Sequence, residues 1–370
     1  MGLIAALTHA LPHSLALPTE AIGSIPRGER LLDAQRRFDA GQLAGSELEA
    51  VYEEAVCETM AALEATGSPV ISDGEQRKAH SFATYCVEGG DKIAPDGIII
   101  PFQDGHIRQL PRLTGGPFHF ARHAYDSLAL AMPHAKVPMK QAIISVSALS
   151  LFYPPQGIAS YSREAFIEDL INEQEQEIRG CFAAGAAKVQ IDFTEGRLSI
   201  KLDPTGGILN SFIDLNNMVL ARFTHAEQQR IGVHTCPGAD HDSTHSADVD
   251  YAELLPSLFE IKVGNFYIAM AGEKDRERAL RIAAKYLKPG QRVFIGVIDV
   301  IDPHVESAQE VCERVLQSAR HIPLDQLGPT DDCGFSPFCD DVSTHRDVAF
   351  AKIRARVEGT ALAARQLGLT

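Results

Sequence analysis

The sequence predicts an α/β fold, a (β/α)8 TIM barrel with an N-terminal arm and an inserted β-hairpin. Two observations support this prediction. Short apolar runs typical of buried strands recur along the 370 residues, and helical patterns separate nearly all of them. Eight such alternations are the order that a parallel barrel requires, with an open doubly wound sheet as the alternative. The strand-like runs begin near residues 17, 69, 137, 187, 231, 263, 293 and 327.

The first two strand-like runs end in polar turns. Residues 17–24 lead into Ile22-Gly23-Ser24, and the run that starts at Pro69 ends at Asp73-Gly74-Glu75. Two helical patterns lie between these runs, and in the second of them, residues 45–66, apolar residues recur at three- and four-residue spacing.

An irregular segment, residues 87–117, interrupts the alternation. Two apolar runs within it, Gly97–Pro101 and Ile107–Leu110, flank Asp104-Gly105. Apolar runs on either side of an Asp-Gly turn predict an inserted β-hairpin.

Residues 1–16 are predicted to form an arm or a short helix. Their apolar start carries no basic residues, and His9, Pro12 and His13 interrupt it, so it does not fit a signal peptide. No linker divides the rest of the chain, and we predict one barrel domain over residues 1–370.

From residue 118 onward, helical patterns and strand-like runs alternate regularly, as a barrel requires. The predicted helices of the whole chain cover residues 27–40, 45–66, 118–132, 163–184, 207–223, 249–259, 275–287, 307–319 and 346–367.

The composition fits a soluble metabolic protein. The chain is 45% hydrophobic and carries a formal net charge of −15, whereas nucleic-acid binding needs a basic face. No apolar run approaches the ~20 residues that span a bilayer, so no membrane partner is expected. Seven scattered cysteines favour a reducing compartment, and we predict a cytoplasmic protein. The sequence is compatible with a homo-oligomer. Cys57, Cys181 and Cys312 fall at apolar positions of predicted helices and are expected in the core.

The strongest candidate site follows the predicted strand near residue 231. His234 and Cys236 are two residues apart, so in an extended backbone both side chains project from the same face. An imidazole and a thiolate on one face make half of a zinc site. Another cysteine, Cys333, follows a later predicted strand and precedes Gly334.

Polar residues also occupy most of the other strand exits. In a barrel the functional face lies at the carboxyl ends of the strands, so these side chains are expected on one rim. Each alone is equally a helix cap or a turn residue, and Ser145 and Asp299 fit that simpler role well. Together they predict a site. The residues are Ser24, Asp73, Glu75, Ser145, Asp192, His234, Cys236, Asp299, Asp332 and Cys333.

Through these residues the chain resembles the catalytic barrel of the cobalamin-independent methionine synthases, within the uroporphyrinogen decarboxylase-like superfamily. The correspondences occur in the family's order over about residues 17–365. The His-x-Cys followed by a distant Asp-Cys-Gly is quite specific, whereas the other motifs alone would be weak. The matching segments are Ile22-Gly23-Ser24, Asp73-Gly74-Glu75, Val189-Gln190-Ile191-Asp192, His234-Thr235-Cys236 and Asp332-Cys333-Gly334.

The resemblance implies a zinc enzyme that methylates a small thiol. In that family the matching histidine and two cysteines bind Zn2+, which assigns His234, Cys236 and Cys333 as metal ligands. The family's serine, glutamate and aspartate hold the amino-acid end of homocysteine, which assigns substrate binding to Ser24, Glu75 and Asp192. The implied partners are a small-molecule thiol and an alkyl donor such as a methyltetrahydrofolate.

The chemistry of a zinc thiolate agrees with this implication. A thiol with a pKa near 8.5 is mostly protonated at neutral pH and is then a poor nucleophile. Zinc binding delivers it as a thiolate in a fixed position. A catalytic site must leave one coordination position open for the substrate. A structural zinc would normally close with a further ligand, often from a Cys-x-x-Cys pair, which this sequence lacks.

Two positions depart from the family pattern. Ala269 stands where methionine synthases supply a glutamate ligand. Glu273 is a candidate fourth ligand, although it more readily starts the following helix, and His241, Asp242 and His245 are further candidates.

The second departure lies after the seventh predicted strand. Ile301 stands where family members use a histidine as proton donor. Asp299 is retained, and His304 is a substitute if the loop differs. Asp299 and His304 are therefore the candidate catalytic residues.

Three functions fit the sequence. The first is a zinc-dependent thiol alkyl transferase with homocysteine as the default acceptor. The second resembles the epoxyalkane–coenzyme M transferases, which would favour a basic pocket for an anionic thiol. Arg77, Lys78 and Arg197 are candidates for that pocket, although solvated surface charges are their more ordinary explanation. The third is a zinc-binding barrel that has lost catalysis. A zinc-free decarboxylase fits least, because it would not need the histidine and both cysteines.

Overall fold

The computed structural model describes residues 17–369, so the arm predicted for residues 1–16 lies outside the described residues. The α-helices of this part are α1 (Glu29–Asp39), α2 (Gly45–Ala65), α3 (Ala124–Ala131), α4 (Val146–Ser150), α5 (Arg163–Ala183), α6 (Glu195–Leu202), α7 (Gly207–Leu220), α8 (His225–Gln228), α9 (Tyr251–Leu258), α10 (Arg276–Tyr286), α11 (Ala308–Ala319) and α12 (Arg346–Gln366). The strands are β1 (Ile93–Ala94), β2 (Ile99–Pro101), β3 (Ile107–Gln109), β4 (Arg112–Leu113), β5 (Lys140–Ile144), β6 (Lys188–Asp192), β7 (Ile231–Thr235), β8 (Ala239–Asp240), β9 (Ser243–Thr244), β10 (Asn265–Ile268), β11 (Arg292–Ile298) and β12 (Leu327–Asp331).

A six-stranded parallel sheet organises the fold. Its strand order, β12-β11-β10-β7-β6-β5, follows the chain, and helices connect its neighbours. The prediction of an α/β fold with parallel strands is therefore confirmed. The register places Asp192, the last residue of β6, opposite His234 of β7, so the two side chains lie at the same end of the sheet.

The first two predicted strands appear as single parallel bridges at the edges of this sheet. Glu20 pairs with Thr330 beside β12, and Ile71 pairs with Met139 beside β5. Prolines explain in part why these runs are not longer strands, because Pro18 and Pro69 have no backbone N–H to donate.

The predicted helix over residues 118–132 begins six residues later than expected, because side chains of α5 take the backbone N–H groups that precede it. The N–H of Phe118 donates to Asp169 Oδ2 at 3.1 Å, and that of Ala124 donates to Glu177 Oε1 at 2.8 Å. The short helices α4, α6 and α8 were not predicted. None of the helices in residues 17–369 has the length and apolar character to span a bilayer.

The sheet is buried on both faces, and its apolar side packs against the helices. Val189, Ile231 and Phe266 are fully buried in this core, as are Cys181 and Cys312 of the helices. Cys57, also predicted for the core, is only partly buried.

The other face of the sheet carries polar side chains, and those at its amino-terminal end are paired. Glu20 lies 2.6 Å from Lys188 Nζ and 2.6 Å from the hydroxyl of Tyr267. Burial raises the pKa of Glu20, but Lys188 and Lys140 outweigh it and hold that pKa at about 2. At the carboxyl-terminal end, by contrast, several buried polar atoms have no partner, and the candidate site lies there.

Candidate metal centre and substrate cavity

Three sulfur and nitrogen ligands converge at the carboxyl ends of β7 and β12. One donor atom each of His234, Cys236 and Cys333 lies within 4.8 Å of the others, and the two Sγ atoms are 3.4 Å apart. In a flat sheet the three strand spacings between β7 and β12 would separate them by about 14 Å. Strong curvature of the sheet therefore brings these ligands together.

The hydrogen bonding of His234 leaves one ring nitrogen free. Nδ1 lies 3.3 Å from the carbonyl oxygen of Tyr267. A carbonyl only accepts, so Nδ1 carries the proton and Nε2 keeps its lone pair. Nε2 is buried and has no hydrogen-bond partner. An imidazole oriented in this way through its outer nitrogen is typical of metal ligands.

The two sulfur atoms are close enough for one to donate its S–H to the other. The S–H of Cys333, the nearby His234 and the N–H of Gly238, which is 3.3 Å from the sulfur, lower the pKa of Cys236 well below its usual value despite burial. The pKa of Cys333 is raised correspondingly by Cys236 and by burial. Cys236 is thus the first of the pair to become a thiolate.

In the described part of the chain, the donor group contains three residues and no fourth protein ligand. Glu273, the candidate fourth ligand, lies 3.4 Å from Arg197 in a neighbouring cavity. His245 is buried beside Gly238, while His241 and Asp242 form the tight turn between β8 and β9 with positive φ angles of 48° and 55°.

A cavity lies in front of these three residues, and the three predicted substrate-binding residues line it. Ser24 packs against Gly334, where a Cβ atom would lie 2.1 Å from Ser24 Oγ. Only glycine fits there, which gives the Asp-Cys-Gly motif a physical reason. Glu75 and Asp192 are both buried, and burial raises the pKa of each carboxyl.

Glu75 and Asp192 differ in their partners. Glu75 Oε1 lies 3.4 Å from Lys78 Nζ, while its Oε2 has no partner. Asp192 Oδ1 accepts a hydrogen bond of 2.7 Å from the Gln190 amide. A ligand with an ammonium group would satisfy these carboxylates.

The remaining wall of the cavity is largely apolar, and the β2–β3 hairpin forms part of it. Arg108 of β3 fixes the hairpin by double hydrogen bonds to Asp240 and to Asp340. This anchoring holds the hairpin over the cavity that His234, Cys236 and Cys333 also line. The apolar lining residues include Phe82, Ile100, Phe102, Leu110, Leu151, Leu198 and Phe338.

A second cavity lies on the other side of Cys333, which lines both. Ala269, Glu273, Asp299 and Ile301 line this second cavity. Asp299 therefore shares a cavity with Cys333, and burial raises its pKa. His304, the other candidate catalytic residue, is not brought there: its side chain is 55% exposed and its Nε2 lies 3.0 Å from Glu310.

The three basic residues proposed to bind an anionic thiol are all paired with other residues of this chain. Arg77 pairs with Glu49 and Glu53, and its side chain is only 7% exposed. Lys78 and Arg197 are also buried, and each contacts a glutamate and a backbone carbonyl. The expectation that they are solvated surface charges is therefore wrong, because strand exits near a cavity are buried positions.

The sequence did not single out one buried carboxyl group of the cavity. Glu195, at the start of α6, lines the first cavity, and its Oε1 accepts hydrogen bonds of 2.5 Å from both Ser145 and Ser147. Glu195 lies three residues after Asp192, at the exit of a strand, and this position could have marked it as a candidate site residue. The helix was missed because it is short and contains Gly196.

Asp332 holds the backbone beside Cys333, and its loss should destabilise the protein. Its carboxylate accepts hydrogen bonds of 2.7, 2.8 and 2.9 Å from the N–H groups of residues 270–272. Asp332→Ala leaves these groups unpaired, and the free energy of unfolding should fall by about 3 kcal/mol in urea titrations. Asp302→Ala, at an exposed aspartate of a nearby loop, is the control. A loss below about 1 kcal/mol in Asp332→Ala would contradict this role.

Known proteins resemble the chain over nearly all of its length. Residues 160–338 match the family model for the catalytic domain of cobalamin-independent synthase. A methionine synthase of Saccharolobus solfataricus is 23% identical over 363 residues, which cover 95% of this chain and 96% of that protein. A 5-methyltetrahydropteroyltriglutamate–homocysteine methyltransferase of Nitratidesulfovibrio vulgaris is 24% identical over 328 residues, which cover 87% of this chain and 39% of that protein.

The fold is also similar to a solved structure. A B12-independent methionine synthase from Shewanella sp. W3-18-1, in complex with selenomethionine, aligns with a TM-score of 0.71 at 20% identity, covering 96% of this chain and 99% of that one. These comparisons confirm the resemblance predicted from the sequence: the chain is similar to cobalamin-independent methionine synthases.

Proposed function

We propose that the protein is a zinc-dependent thiol methyltransferase that methylates a small thiol such as homocysteine from a donor such as a methyltetrahydrofolate. The observation that carries the proposal is one cavity that brings together His234, Cys236 and Cys333 with the carboxyl groups of Glu75 and Asp192. The similarity to methionine synthases supports the same reaction class.

The donor set fits zinc. Two cysteines and a neutral imidazole are ligands that Zn2+ prefers, and tetrahedral zinc places two sulfurs about 3.8 Å apart. The observed 3.4 Å is close to that separation, and the unpartnered Nε2 of His234 supplies the third donor. Bound zinc would supply a Lewis acid that keeps the substrate thiol deprotonated at neutral pH.

The residues of the chain would position the substrates. Glu75 and Asp192 would bind the α-amino group of the thiol substrate, and Ser24, between them and Cys333, would contact its carboxylate end. The apolar wall of the hairpin would exclude water from the reacting sulfur, which strengthens every charge interaction in the cavity. Asp299 lines the second cavity, on the other side of Cys333, and would have its role there.

We infer in addition that the sheet closes into a (β/α)8 barrel within one domain over residues 1–370. Contacts between the two edge segments support closure. Ser72 Oγ donates to the Gly23 carbonyl at 2.8 Å, and the N–H of Ile25 donates to the Gly74 carbonyl at 3.0 Å. The unpaired cysteines of the described residues fit the cytoplasmic location that we propose.

The epoxide-opening alternative is disfavoured by charge. A sulfonate-bearing thiol needs a free cation, and among the described lining residues of the first cavity Arg108 is already bound by two aspartates. A non-catalytic zinc barrel would not need buried carboxyl groups with unpartnered oxygens.

Metal analysis and calorimetry test the proposal together. Purified protein should contain about one zinc per chain, and the zinc form should bind homocysteine more tightly than coenzyme M or glutathione. It should also form methionine from homocysteine and 5-methyltetrahydrofolate. Preference for coenzyme M would favour the epoxide reaction, and failure of every thiol to bind the zinc form would favour a non-catalytic barrel.

A further inference from the structure

We propose that Glu195 is the general acid of this protein, which protonates the basic nitrogen of the methyl donor as the methyl group leaves. The inference rests on the proposed methyl transfer and adds a residue to it. It starts from the carboxyl group of Glu195 in the first cavity. The proposed binding of the metal and of the thiol gives this group no role.

A closed network of donors surrounds Oε1 of Glu195. Asn216 donates to Ser147 Oγ at 2.6 Å, and the N–H of Ala148 donates to Ser145 Oγ at 3.0 Å. Each serine has one hydroxyl hydrogen, and each then gives it to Oε1 of Glu195 at 2.5 Å. Oε1 is therefore an acceptor only.

The second carboxyl oxygen of Glu195, Oε2, is buried and has no hydrogen-bond partner, and the residue as a whole is 5% exposed. A buried carboxyl without a cation beside it favours its neutral form, and its proton must then reside on Oε2. No Lys, Arg or His of the described residues forms an ion pair with Glu195, in contrast to Glu75 with Lys78. Burial raises the pKa of Glu195 to about 7, with a contribution from Asp192.

The position also fits an acid. Glu195 lines the same cavity as His234, Cys236 and Cys333, and its unpartnered Oε2 would donate to a ligand bound there. Ile301, which stands after β11 where the family resemblance implies a proton-donating histidine, has no acidic proton. Glu195 would supply one.

The step balances with one proton. The sulfur of the thiolate forms a bond to the methyl carbon, and the carbon–nitrogen bond breaks with its electron pair going to nitrogen. That nitrogen takes the proton from Oε2, and Glu195 becomes a carboxylate that is reprotonated from solvent.

Two donors with different leaving groups test the assignment. The zinc-loaded wild-type protein and Glu195→Gln are assayed with homocysteine and either 5-methyltetrahydrofolate or methyl iodide, since iodide leaves without a proton. Glutamine keeps the acceptor for both serines and cannot donate an acidic proton. The rate with the folate donor should fall by about 10²–10⁴-fold, while the rate with methyl iodide, the zinc content and homocysteine binding by calorimetry should stay unchanged.

Equal losses with both donors, or no loss with either, would overturn the assignment. If Glu195→Gln fails to fold by circular dichroism, the wild type decides: its solvent deuterium isotope effect should be larger with the folate donor than with methyl iodide, and equal effects would refute a proton transfer. If the wild type methylates homocysteine from neither donor, the proposed function itself fails, which this design separates from failure of Glu195.

Discussion

Cys333→Ser should lose zinc and with it all methyl transfer. Cys333 is one of three donors, it lies 3.4 Å from Cys236, and no fourth protein ligand lies within reach among the described residues. A serine hydroxyl is a poor zinc ligand at neutral pH, because it stays protonated. Zinc affinity should fall by at least about 100-fold, measured by competition with a chromogenic chelator.

Cys339→Ser is the matched control for this change. Cys339 lies six residues further along the same segment, is partly exposed and belongs to none of the candidate metal groups. It should keep its zinc. Full zinc content in Cys333→Ser, or equal loss in both variants, would remove Cys333 from the metal centre.

Asp192→Asn should weaken the binding of homocysteine by about 10–100-fold, since a hydrogen bond to a charged group contributes about 1.5–3 kcal/mol. Asp192 is buried at the end of β6, opposite His234, and the amide of asparagine carries no charge for the α-amino group. Calorimetry on the zinc form measures this loss.

A thiol without an amino group separates charge recognition from general damage. The affinity for 3-mercaptopropionate should be the same in Asp192→Asn as in the wild type. Asp299→Asn, in the second cavity, should leave homocysteine binding intact. Equal weakening for both thiols would show that Asp192 does not bind the amino group.

Much of the fold was predictable because parallel strands buried on both faces leave continuous apolar runs. Runs near residues 187, 231 and 293 correspond to β6, β7 and β11. The apolar runs at Leu17 and Pro69 were predicted to form full strands, but each pairs with the sheet at only one residue. Apolar character alone does not distinguish the two cases.

The convergence of the three candidate ligands was predictable for a different reason. His234 lies near the end of β7 and Cys236 directly follows the strand, and the glycine after Cys333 leaves room for Ser24. These are local constraints that a sequence records. His304 has no such local constraint, and its side chain lies against Glu310.

Glu195 and the hairpin wall could not be predicted, because their roles depend on contacts between distant segments. Ser145 reads as the N-cap of α4, which it is, and nothing in the sequence indicates that it also donates to Glu195. Likewise Arg108 anchors the hairpin through Asp240 and Asp340, which lie more than a hundred residues away in the chain.

The central claim is that one zinc ion is held by His234, Cys236 and Cys333 and accepts the thiol of the substrate. X-ray absorption at the zinc edge, with and without homocysteine, measures this most directly. The number of sulfur neighbours should rise from two to three per zinc when homocysteine is added. An unchanged count of two, or a zinc with no sulfur neighbours at all, would contradict the claim.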